Sequence, residues 1–450
     1  MCAVQASPLS KSIQSSSNRS SKATQLVVGR ATQGDSFPIF EMMQRALLRP
    51  SENEFHIEQE RPGYDPSQRI VCRAADQVGA QIVGHVRVIR RKTRLADRIA
   101  TTLHVDELAT APELRSRGIA AQLLAEVDAE LQRCGAECAV YRTDSPDYLA
   151  RRGWTALSSQ TRSHGDPAQI LANLQLPVPS RNWEKAASKT SQLSIRLYRQ
   201  VEFAGLTSLY ERRFDDLLGA AVRTQEQWRW LLDRRGFQQL YVAIDGGNKL
   251  ALDDDSKIVG YAMTGGGQVL ETVTAPGRED VATELLRRIC GDAMERDQRV
   301  IYYHAPAADP LHRAVRSAAP PQRPLSNSTV MVRWRHPLQS LAEHAERFRA
   351  NLVKAGYPLP CDLGLHVDGE KHSLHFTERS GSLSDGKLGR SFIRLTQNDL
   401  VRLLCGDLNV PQALDRGDIF ASTKMATDAA AAALKMPSLW FPPLEDASAI

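Results

Sequence analysis

Glu107-Leu108-Ala109-Thr110-Ala111-Pro112-Glu113-Leu114-Arg115-Ser116-Arg117-Gly118-Ile119-Ala120-Ala121-Gln122-Leu123-Leu124 decides the reading of this 450-residue chain. It begins as an extended apolar run, breaks at Pro112, and resumes as a helix with apolar positions at Leu123, Leu124, Val127 and Leu131. A strand feeding a small-residue loop that opens a helix is a ready anion cradle. The first amides of the helix lack internal partners, and its dipole favours negative charge there. Gly118 and Ala120 let a phosphate approach the backbone closely, and Arg115 and Arg117 add positive charge. The loop is expected to hold a pyrophosphate.

The same stretch has a second copy. Ile82-Val83-Gly84-His85-Val86 precedes Thr110-Ala111-Pro112, and Ile258-Val259-Gly260-Tyr261-Ala262 precedes Thr274-Ala275-Pro276. Val105 and Glu107 stand ahead of the first Thr-Ala-Pro as Val269 and Glu271 stand ahead of the second, and Gln122-Leu123-Leu124 matches Glu284-Leu285-Leu286. The second copy, Gly277-Arg278-Glu279-Asp280-Val281, is two residues shorter, lacks the glycine immediately before the helix and puts Glu279-Asp280 where an anion would sit. Like charge opposes phosphate there, so the duplication predicts one anion site and one degenerate structural copy.

Working outward, the length suits two or three domains, and 42% hydrophobic with 24% charged residues is ordinary for a globular protein. The net charge is +5, with scattered arginines, which argues against a dedicated nucleic-acid binder and is compatible with an anionic ligand. Seven dispersed cysteines point to reduced thiols in a cytoplasmic protein rather than a disulfide framework. Cys134 and Cys138 have no second pair to complete a metal site, so no metal is expected. No apolar run approaches the roughly 20 residues of a membrane span. Residues 1–24, rich in serine, read as a disordered tail.

Periodicity predicts strands at Gln25–Ala31, Ile70–Ala75, Gln81–Arg90, Ile99–Thr110 and Cys138–Arg142, a helix from Phe37 to Leu48, and a loop over Ser51–Tyr64 whose four glutamates would attract a cation. Residues 177–192 read as a linker, and a second α/β segment runs over 193–335. A third segment, 337–445, is expected to open with a strand at Ala345–Lys354 and to end in an extended, proline-rich tail with disordered last residues.

Arg115-Ser116-Arg117-Gly118-Ile119-Ala120 resembles the Q/R-x-x-G-x-G/A signature of the GCN5-related N-acetyltransferases, the GNAT superfamily. Ala150-Arg151-Arg152-Gly153-Trp154 is similar to the family's later Gly-aromatic step. The three-part layout resembles the Eis-type (enhanced intracellular survival) acetyltransferases, through Glu226–Leu232, His304-Ala305-Pro306, Leu395–Gly406 and Gly417-Asp418-Ile419. The resemblance implies an α/β (α+β) fold in three parts. A catalytic GNAT module over 25–178 is followed by a degenerate GNAT-like module over 193–335 and a sterol-carrier-like α+β module over 337–445. It further implies transfer of an acetyl group from acetyl-CoA to an amine, on a small molecule or a protein lysine, by a homo-oligomer. The backbone at Leu108 and Thr110 would pair with the pantetheine arm. Arg115, Ser116, Arg117, Gly118, Ile119 and Ala120 would hold the pyrophosphate.

The reaction needs a base for the amine and an acid for the thiolate. His104 stands eleven residues before the signature, where some family members carry a base glutamate. Glu107 is the second candidate, expected on the opposite face of the strand from its odd spacing. A third, by the resemblance, is the carboxylate of Ile450. The family acid is a tyrosine four residues before the Gly-aromatic pair; that position is Leu149 here, and Tyr148 is its neighbour. The alternative is a non-catalytic acyl-CoA sensor or scaffold whose third module binds lipid or protein.

Overall fold

The computed structural model describes residues 25–46, 51–76, 79–158, 161–175, 193–233, 237–246, 257–318 and 329–445. The tail 1–24, the whole linker 177–192 and Ile450 lie outside the described residues.

Three sheets organise the chain. In chain order the strands are β1 (Gln25–Arg30), β2 (Arg69–Asp76), β3 (Gly79–Leu95), β4 (Arg98–Thr110), β5 (Cys138–Thr143) and β6 (Thr155–Ala156). Next come β7 (Arg162–Gly165), β8 (Ser194–Leu197), β9 (Gln239–Ile244), β10 (Ile258–Gly265), β11 (Gln268–Thr274), β12 (Ile301–His304) and β13 (Thr329–Trp334). The last five are β14 (Cys361–Val367), β15 (Glu370–Phe376), β16 (Gly381–Asp385), β17 (Phe392–Leu395) and β18 (Phe420–Ala421). The first sheet runs β1-β2-β3-β4-β5-β13-β6, the second β7-β12-β11-β10-β9-β8, and the third β16-β15-β14-β17-β18.

The first two sheets exchange strands. β7 leaves the first segment and pairs with β12, while β13, which closes the second segment, inserts between β5 and β6. The sheets therefore do not follow the segments 25–178 and 193–335. Two short strands account for this, and β7 is only four residues long, too short to give a periodic signal.

One face of the first sheet packs on the Ile119–Arg133 helix through Val86, Val105, Leu123 and Val127. The other face is shared. Its upper part lies under two helices, Ser36–Arg45 and Glu52–Gln59, through Ile39, Met42, Phe55 and Val71. Its lower part joins the core of the third module, where Val140, Val332 and Trp334 meet Phe348, Leu365 and Leu404. The second module reaches the first through Trp230, whose indole N–H donates to the Ile57 carbonyl at 3.0 Å.

Two expected elements are corrected. Ser51–Tyr64 is not a loop: Ser51 accepts from the Glu54 amide and Glu54 accepts from the Ser51 amide, a reciprocal cap that starts a helix over Glu52–Gln59. Ala345–Lys354 is a helix rather than a strand, because Ala345, Phe348 and Leu352 bury at three- and four-residue spacing. The C-terminal segment is extended but well packed. Leu439 donates to Cys405, Trp440 donates to Leu218 at 2.7 Å, and Trp440 and Leu444 enter the core of the second module.

Candidate active site

The site forms where β4 and β5 part. The two strands pair in parallel from Thr102–Cys138 to Val105–Tyr141, and no further among the described residues. At the same level β4 bulges. Asp106 faces Arg87 and Ala109 faces His85, so Glu107 and Leu108 together oppose Val86. Glu107 takes a φ of 55°, a left-handed conformation that a non-glycine residue adopts only under constraint. Beyond the bulge, the edge of β4 that faces β5 is no longer paired with it.

β4 runs from this fork into the anion loop. The Ala111 amide donates to Val83 at 2.9 Å, and the Leu114 amide donates to Ala111. Ser116 and Gly118 both have positive φ, 66° and 80°. Gly118 is the residue before the Ile119–Arg133 helix and has no side chain to cap it. Arg115, Ser116, Arg117 and Gly118 are exposed, Ile119 is buried against the sheet, and a Cβ placed on Gly118 would meet no atom within 4 Å. The helix start is therefore open, and its residue types suit a pyrophosphate.

The second copy repeats this geometry. Ala275 donates to Val259 at 2.8 Å and Arg278 donates to Ala275, as Ala111 and Leu114 do in the first copy. Gly84 pairs with Thr110, and Gly260 with Thr274. A Cβ on Gly84 would come within 2.4 Å of Ile119, and one on Gly260 within 2.5 Å of Val281. The helix start is different. Asp280 accepts from the Arg278 guanidinium at 3.0 Å, and the backbone amides of Asp280 and Val281 also donate to it. The Arg278 hydrogen bond holds this carboxyl below its ordinary pKa. The protein's own carboxylate thus occupies the place of a phosphate.

The candidate bases are engaged elsewhere. The Arg91 guanidinium donates to His104 Nδ1 at 2.9 Å. Guanidinium cannot accept, so Nδ1 is the acceptor in this bond and its lone pair is occupied while the bond stands. The edge of the ring packs on Phe441 of the C-terminal segment at 6.3 Å. Glu107 receives Arg69 at 2.5 Å and Arg87 at 3.4 Å. Arg87 also binds Glu58 at 2.7 Å and Asp106 at 3.1 Å. Glu107 therefore shares a face with its neighbour Asp106. The expected opposite facing fails because the bulge resets the alternation. Arg69 and Arg87 are both 1% exposed, so Glu107 is tied into ion pairs deep in the domain.

Tyr148 lies in the short Pro146–Ala150 helix, with the Arg152 guanidinium 3.7 Å from its ring centroid. Leu149, at the family's tyrosine position, is buried. Sequence reasoning passed over Tyr141, the last β5 residue paired with β4. Its hydroxyl accepts from the Leu108 amide at the bulge, and burial, with Asp106 adding to it, pushes its phenol well above the ordinary value. Nothing in local periodicity marks this residue, since the fork is a tertiary feature. On the face of Glu107, a groove of about 340 Å³ is lined by Thr32, Gln33, Ser36, Gln59, Tyr64 and Arg69.

Comparison with known proteins fits this geometry. Residues 28–157 match the model of the acetyltransferase (GNAT) domain family. The chain carries a GNAT acetyltransferase domain. The rest of the chain extends the likeness in fold. A GCN5-related N-acetyltransferase from Anabaena variabilis superposes with a TM-score of 0.61 at 14% identity, over 92% of this chain and 99% of that one. Eis1 from Mycobacterium abscessus gives 0.58 at 15% identity, over 92% and 98%. A probable N-acyltransferase from Enterococcus faecalis gives 0.60 at 12% identity, over 93% and 99%. No curated protein matches the sequence. Among the described residues no helix is long and apolar enough to cross a membrane.

Proposed function

We propose that this chain is an acetyl-CoA-dependent N-acetyltransferase with a single donor site, in its first module. The observation that carries the reading is the contrast between two matching helix starts: one open at Gly118, the other closed by Asp280. The amides of Arg117 to Ala120 receive the pyrophosphate, with Arg115 and Arg117 supplying charge. The pantetheine arm runs along β4 at Leu108 and Thr110, in the gap that opens where pairing with β5 ends. The amide at the bulge polarises the thioester oxygen as charge develops on it. The acceptor amine enters through the groove on the Glu107 face, whose hydroxyl and amide lining suits a polar amine. Arg69 and Arg87 hold Glu107 as part of the wall. The second module serves as a scaffold, and the third is a sterol-carrier-like unit.

Release of CoA thiol from acetyl-CoA in the presence of spermidine, lysine or tyramine, with acetylated product identified by mass, tests the reading. Amine-dependent turnover supports it. Tight CoA binding with no turnover across a broad amine panel would favour a non-catalytic acyl-CoA sensor.

A further inference from the structure

We propose that Tyr141 carries the proton from the attacking amine to the departing CoA sulfur, a role that the sequence pattern points toward Tyr148. The inference rests on the acetyltransferase reading above and names a residue for its least served step.

Val105–Tyr141 is the last pair before β4 and β5 separate, so Tyr141 stands at the apex of the gap. Its ring packs half-buried on the core of the first module, beside Leu108. Its hydroxyl rests on the Leu108 amide. Leu108 belongs to the two-residue bulge, and its amide is the donor that the function above aims at the thioester oxygen. When that oxygen takes the amide, the displaced phenol is left about one hydrogen-bond length away, roughly 3 Å, beside the sulfur bonded to the same carbon.

The phenol is protonated at neutral pH, as a donor must be, and burial with the nearby Asp106, by raising its pKa, makes its phenolate a strong base for the amine's proton. The amine nitrogen attacks the thioester carbon and the carbonyl electron pair moves to oxygen. When the carbonyl re-forms, the C–S bond breaks and sulfur takes the phenolic proton. The phenolate then takes the proton that the acylated nitrogen must lose. An amine and acetyl-CoA become an amide and free CoA, and Tyr141 ends as it began. This relay needs no separate base, consistent with the engagement of His104 by Arg91 and of Glu107 by two arginines. Tyr148 is placed less well, since its ring is stacked by Arg152 on its own short helix.

Tyr141→Phe removes one oxygen and keeps the ring. With acetyl-CoA and spermidine, kcat is expected to fall about 100-fold or more. The KM for acetyl-CoA and the Kd for CoA should stay within about twofold, which a merely structural role would not allow. Tyr148→Phe should keep most of the wild-type kcat. The role is overturned if Tyr141→Phe turns over at the wild-type rate, if KM and Kd worsen along with kcat, or if Tyr148→Phe takes the loss instead. A wild-type protein that transfers to no amine contradicts the acetyltransferase reading itself, an outcome visible before any variant is made.

Discussion

A single backbone angle decides how the acidic side chains of β4 are used. With φ at 55°, Glu107 leaves strict alternation and joins Asp106 among buried arginines. The sequence showed Glu107 on a strand but could not show the bulge, because a bulge depends on the partner strand. Gly118 was legible for the opposite reason: its conformation belongs to the local loop, and only glycine takes that φ without strain. His85 sits in the same charged cluster, and Arg69 Nη1 lies 3.0 Å from its Nε2. Burial, reinforced by Arg69 and Arg87, pushes its pKa well below the ordinary value, so the folded protein holds it neutral. The unfolded chain binds a proton below about pH 6.5 that the folded chain refuses. The stability contributed by neutral His85 is therefore complete above pH 6.5 and lost as pH falls below it. Denaturant titrations should show the wild type losing up to about 1.4 kcal/mol more per pH unit than His85→Gln between pH 6.5 and 5. Parallel pH profiles would contradict a neutral, buried His85.

At the scale of elements, the duplication was readable from short strings, because each apolar string has a packing duty. Gly84 and Gly260 are glycines so that Ile119 and Val281 can approach the sheet. Glu271 keeps its counterpart's ion-pairing habit: it is bound by Arg223 through two hydrogen bonds of 2.8 and 2.7 Å and receives the Tyr261 hydroxyl at 2.6 Å. What failed at this scale were elements whose evidence lay outside simple alternation. The helix after Ser51 was announced by its cap rather than by apolar periodicity, and β7 is too short to show a period. Gly84→Ala and Gly260→Ala should each destabilise the protein by about 1–3 kcal/mol through overpacking. They should differ in ligand binding. Gly84→Ala shifts the helix that begins at Gly118 and should weaken CoA at least about tenfold by calorimetry, while Gly260→Ala leaves it unchanged. Equal losses in both variants would contradict a division of labour between the copies.

At the scale of the molecule, the three segments form one interlocked body. β7 and β13 are exchanged between sheets, the end of β3 hydrogen-bonds to Ala220 and Val222, and the segment around Trp440 ties the third module to the second. A Cβ on Gly219 would lie 2.2 Å from the Trp440 carbonyl oxygen, so this tie needs a glycine on its receiving side. The composition of the chain announced several modules. It could not announce their exchange, because a strand's sequence carries no address for its sheet. The second module is the more informative for the proposed function, since its helix start repeats the loop geometry of the first and holds the Asp280 carboxylate there. The central claim is accordingly one CoA site per chain, built on Gly118. Calorimetric titration of the full chain with CoA measures it directly. The account predicts one mole bound per mole of wild-type chain and none for Gly118→Glu; two moles bound, or undiminished binding in that variant, would contradict it.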